Sequence, residues 1–102
     1  MTNQIDSEAI LKALANPVRR EILQWLKQPE HYFPAQHVSV SHGVCAGQID
    51  AKTGLSQSTV SNHLAVLQKS GLICCQKVGQ WSFYQRNEAV IQQFLQSLQR
   101  DL

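Results

Sequence analysis

Apolar residues recur at helical spacing along most of the chain, and the interruptions mark its elements. Ile10 and Leu14 stripe residues 5–15; Asp6 or Ser7 caps the start, and Glu8 lies in the first turn, where the helix dipole favours an acid. Asn16-Pro17 breaks this helix and opens a second with Pro17 in its first turn. The second helix carries Val18, Ile22, Trp25 and Leu26 on one face and Arg19, Arg20 and Lys27 on the other, and Pro29 stops it. Residues 29–45 show no period and read as one long loop, a length that in a compact domain usually serves a function. Residues 46–53 read as a short helix ended by Gly54. Ser56 then caps a longer helix, to about residue 70, whose Val60, Leu64 and Leu67 share a core face; Gly71 ends it.

Beyond Gly71 the period changes. "LICCQKVGQWSFYQR" is rich in β-branched and aromatic residues around Val78-Gly79-Gln80, which predicts a two-stranded hairpin turning near Gly79. Asn87 caps a last helix whose Ile91, Phe94, Leu95, Leu98 and Leu102 form a broad apolar face that must pack on its own core or on a second subunit. Trp25 and Trp81 are expected in core or wing packing.

Composition narrows the class. A length of 102 residues with 43% hydrophobic content supports one domain with one core, and its small size makes a dimer interface a plausible source of added stability. A net charge of +2 permits an anionic partner, although no basic arm is present. No apolar run approaches the roughly 18 residues of a membrane span. Three cysteines, Cys45, Cys74 and Cys75, argue against a disulfide framework, and "MTNQIDSEAILKAL" has no signal-peptide pattern. The expected location is the reducing cytoplasm.

Short helix, glycine turn, longer helix, hairpin is the order of a winged helix-turn-helix, mainly α with a β-hairpin wing. A major groove about 12 Å wide admits one α-helix, which enters by its N-terminal part. That part here is uncharged and rich in donors and acceptors: Gln57, Ser58, Thr59, Ser61, Asn62 and His63. Lys77 and Gln80 flank the hairpin tip. The same pattern also describes a solvated helix-turn-helix without a ligand, or a winged-helix module that binds protein. A thiol enzyme built on Cys45 or on Cys74 and Cys75 lacks a C-x-x-C or cysteine-protease signature.

"LANPVRREIL", "GLSQSTVSNHLAVLQKSGLI" and "VGQWSFYQ" resemble the ArsR/SmtB family of bacterial winged-helix repressors over roughly residues 8–100. The resemblance implies a homodimer joined through its first and last helices, which binds double-stranded operator DNA and is released by an inducer. It assigns Gln57, Ser58, Thr59, Ser61, Asn62 and His63 to the recognition helix and Lys77 and Gln80 to the wing.

The family's common metal sites are broken here. Where one version has Cys-x-Cys this chain has Cys45 and Gly47, and a lone thiolate is a poor soft-metal site. Its last helix contains neither histidine nor cysteine, and the second and last helices lack the pair of a thiol sensor. No cofactor is expected. His31, His37, His42 and Cys45 supply zinc-type ligands in the long loop, but at a spacing that matches no compact zinc motif. Cys45 lies near a helix N-terminus, where a thiol is acidified, and is the candidate for redox or electrophile sensing. Cys74 and Cys75 project to opposite faces of a strand.

Overall fold

A computed structural model describes residues 5–34, 36 and 42–102. The elements run α1 (Ser7–Leu14), α2 (Pro17–Lys27), α3 (Pro29–Tyr32), β1 (Val44–Cys45), α4 (Ala46–Thr53), α5 (Gln57–Lys69), β2 (Ile73–Val78), β3 (Trp81–Arg86) and α6 (Glu88–Asp101). Side-chain caps begin four helices. Asp6 accepts from the Ala9 N–H, Asn16 from those of Val18 and Arg19, Ser56 from that of Thr59, and Asn87 from that of Val90. Each acceptor satisfies amide groups that a helix start leaves without an internal partner.

One sequence expectation changes and another is extended. Residues 29–45 are not one irregular loop: Pro29 starts the four-residue α3, and Val44–Cys45 forms β1. The hairpin expected to turn near Gly79 is present as β2 and β3, and β1 extends it to a three-stranded antiparallel sheet of order β1-β3-β2. Val44 pairs with Tyr84 and Cys45 with Phe83, while β2 and β3 run in register from Ile73↔Arg86 to Val78↔Trp81 around the two-residue turn Gly79-Gln80. A two-residue strand has no readable period; it exists because β3 would otherwise leave a row of unpaired peptide groups. The free edge of β1 is itself covered. The Gln36 side-chain amide accepts from the Cys45 N–H at 2.9 Å and donates to the Gly43 carbonyl at 3.1 Å, standing in for a fourth strand.

Gly43 leads into β1 at φ 106, and a Cβ there would meet the Tyr84 carbonyl oxygen at 2.9 Å. Gly43→Ala is expected to destabilise the fold by about 2 kcal/mol, from positive-φ strain alone. Urea unfolding followed by circular dichroism checks this; an unchanged midpoint would show that β1 is dispensable.

The core draws on most elements. Ile10, Ile22, Val44, Ile49, Val60, Leu67, Leu72 and Ile73 are fully buried. Each contributes roughly 1.5–3 kcal/mol of burial free energy. Trp25 joins this core, but Trp81 stands 56% exposed on the wing, so the packing expected of both tryptophans holds for one. Helix α6 is incompletely covered: of its apolar face only Phe94 is buried, Leu95 is 49% exposed, and Leu11 on α1 is 46% exposed. Among the described residues, no helix is long and apolar enough to cross a membrane.

Candidate nucleic-acid interface

Helices α4 and α5 meet at a braced turn. Gly54 takes the left-handed conformation at φ 70, and its N–H bonds the Asp50 carbonyl at 3.2 Å. Thr53 Oγ1 donates to that same carbonyl at 2.9 Å and accepts from the Leu55 N–H at 3.1 Å. Lys52 anchors α4 to the body, its Nζ lying 5.3 Å from the ring centres of both Trp25 and Tyr32.

Val60, Leu64 and Leu67 bury one side of α5. At 100° per residue the opposite side carries Ser58, Asn62, Ala65 and Lys69, all exposed, with Thr59 and Ser61 exposed on its two flanks and Gln57 exposed in the first turn. The hydroxyls at the tip form a network. Ser56 Oγ donates to Thr59 Oγ1 at 2.8 Å and lies 3.3 Å from Ser58 Oγ, which orders them before any ligand arrives. Lys69 was not among the candidates, although its spacing of seven from Asn62 and eleven from Ser58 places it on their face. It puts a cation where a phosphate path would leave the helix.

His63 behaves differently from its neighbours. It is half-buried, and its Nδ1 lies 3.1 Å from a terminal nitrogen of Arg19. Burial, and then the Arg19 charge, hold its imidazole below the usual histidine range, so the ring is neutral at pH 7.

On the wing, Lys77 and Gln80 are exposed near the tip. Strand alternation sets Lys77 on one face and the cross-strand pair Val78–Trp81, 51% and 56% exposed, on the other. At the base, the half-buried Tyr84 pairs across the strands with Cys75. Burial first, then Cys75 and Asp50, push the Tyr84 hydroxyl up to about 12, which keeps it a neutral donor.

The other sequence candidates do not converge. His31 packs edge-on against Tyr32, with ring centres 4.7 Å apart. His37 lies outside the described residues, and among the described residues no three His, Cys, Asp or Glu side chains gather as a metal site. Cys45 is half-buried at the N-cap of α4, and Cys74 is exposed. β1 and β2 flank β3, so Cys45 lies two strand spacings, about 9–10 Å, from either other cysteine. That separation exceeds the reach of a disulfide without backbone movement.

Comparison with known proteins agrees with this geometry. The family model for "bacterial regulatory protein, arsR family" matches residues 44–74, from β1 through the helix-turn-helix into β2. The uncharacterized HTH-type transcriptional regulator YbzH of Bacillus subtilis is 40% identical over 84 residues, covering 80% of this chain and 84% of its own. The HTH-type transcriptional regulator YgaV of Escherichia coli is 40% identical over 83 residues, covering 80% of this chain and 72% of its own. The solved structure of HlyU from Vibrio cholerae superposes with a TM-score of 0.65 at 29% identity, covering 92% of this chain and 88% of that one. The chain therefore belongs to the arsR family of bacterial regulatory proteins, as a winged helix-turn-helix, DNA-binding transcriptional regulator rather than an enzyme.

Proposed function

We propose that the protein is a homodimeric repressor that binds operator DNA with α5 in the major groove and is released by a small-molecule or redox inducer. The observation that carries this reading is the exposed, uncharged group of Ser58, Ser61 and Asn62, set away from the buried apolar stripe, with Ser58 held in the hydroxyl network of Ser56 and Thr59. Neutral donors and acceptors read base edges, and cations outside the tip, Lys69 and Lys77, meet phosphates. Gln57 and Thr59 border the same group, and Gln80 brings the wing to the neighbouring backbone. The apolar residues that α1 and α6 leave exposed, Leu11 and Leu95, support dimerisation through those helices. A twofold dimer calls for an inverted repeat with half-sites about one helical turn apart.

The test is selection of duplexes from a randomised pool by the purified protein, followed by anisotropy titration of the recovered duplex and a scrambled copy. Tighter binding to the recovered duplex, weakening as salt rises, is expected. Equal affinity for both duplexes would end the sequence-specific reading.

The two tryptophans supply an independent check on the wing. Trp25 is 9% exposed and Trp81 56%, so an acrylamide-quenchable signal reports Trp81. Saturating duplex is expected to protect that signal or shift its emission; an unaltered Trp81 spectrum in the complex would place the wing away from DNA.

A further inference from the structure

We propose that Arg19 is a positioning residue for DNA reading: through His63 it locks the recognition helix α5 to the C-terminal end of α1. This rests on the α5-in-groove reading above.

Arg19 and Arg20 stand in the first turn of α2, where the helix dipole disfavours cations and where no acid offsets them. Their position answers a different need. Helix α1 ends at Ala15 without a glycine cap, and its last carbonyls require donors. Arg19 Nε donates to the Ala13 carbonyl at 2.7 Å and a terminal nitrogen donates to that of Lys12 at 3.1 Å, while Arg20 donates to that of Leu14 at 2.6 Å. Capping alone would explain both arginines. Only Arg19 turns its remaining terminal nitrogen to His63, 44 positions away on α5.

Guanidinium has no acceptor, so in this contact His63 Nδ1 must accept. The imidazole is thereby fixed as the tautomer with its proton on Nε2, and its plane is held by a planar fork. The apolar stripe Val60, Leu64, Leu67 fixes which side of α5 faces the body, but non-directional contacts leave small rotations of the helix about its axis open. A directional bond on one flank of α5 fixes those rotations, and with them the direction in which Ser58, Ser61 and Asn62 project. Its other end is α1, so the orientation of the reading face is referred to a helix assigned to the dimer interface. Arg19 thus adds a directional link to the direct packing of α1 on α5.

The test uses the full chain and the duplex recovered by selection. A phosphate-contact role and a positioning role for Arg19 separate cleanly. Under positioning, R19K retains the charge but not the fork, and loses about tenfold or more in affinity with an unchanged salt slope. Under phosphate contact, R19K binds like wild type and R19A lowers the salt slope of the dimer by about two, one for each protomer. Asn offers an acceptor near the place of Nδ1, so H63N is expected to retain most of the affinity that H63L loses. In the double-mutant cycle, R19A adds little in the H63L background. Thermal midpoints are recorded for all variants, with binding measured well below them. If R19A does not fold, R19K, H63N and H63L still decide.

The proposal is overturned by wild-type affinity in R19K, by equal affinities of H63N and H63L, or by additive losses in the cycle. If wild type itself shows no preference for the recovered duplex, the underlying reading has failed, and that outcome is distinct from all of these.

Discussion

Replacing Ser58 and Asn62 together with alanine is expected to abolish sequence-specific binding while leaving the fold and non-specific binding intact. Both side chains are exposed on the face of α5 opposite the core, so no packing is lost, and alanine is the better helix former at both positions. Each lost base contact costs about 1–3 kcal/mol, and a dimer loses every contact twice, so the recovered duplex is expected to bind on the order of 10³-fold more weakly or worse. Neither substitution changes charge, so the affinity for scrambled duplex and the salt slope of binding are expected to stay at wild-type values. Anisotropy titrations at several salt concentrations measure all three quantities. A double variant that still prefers its duplex would move the base-reading role to another part of the molecule.

Leu11→Glu combined with Leu95→Glu is expected to give a folded monomer with severely weakened operator affinity. The two leucines are 46% and 49% exposed in the isolated chain, so charge at these positions faces water and costs the monomer little. In a dimer the same carboxylates would be buried without partners, which apolar interfaces do not tolerate. Sedimentation equilibrium is expected to show the single-chain mass at micromolar concentration. Two recognition helices that are no longer linked lose their effective concentration, which amounts to about 10²–10⁴-fold in affinity for a two-half-site duplex. A variant that remains dimeric would assign the interface to other surfaces.

Apart from α3, the helices and the exposed polar face of α5 were legible because their signals are local. Asp6, Asn16, Ser56 and Asn87 cap helices within three residues of the amides they bond, and Gly54 closes α4 on a carbonyl four residues away. The stripe Val60, Leu64, Leu67 fixes which side of α5 faces outward, so Ser58, Ser61 and Asn62 follow from spacing alone, and Lys69 was readable by the same rule. The turn at Gly79 needed only the change of period on either side.

The features that escaped are those whose cause lies far along the chain. β1 has two residues and no pattern of its own; it is a strand because Tyr84 and Phe83 lie alongside with peptide groups to satisfy, and because Gln36 covers its other edge. His63 follows the polar residues at the start of α5 in sequence, but it lies beside the buried stripe and its ring meets Arg19, 44 positions away. Trp81 carries the composition of a packed residue and stands in solvent, because a two-residue turn leaves nothing beyond the tip to cover it. Periodicity and capping act over a few residues, so they determine helices and their faces before any tertiary contact forms. Pairing of strand edges, and the direction of a half-buried polar side chain, depend on groups that only folding brings within hydrogen-bond reach.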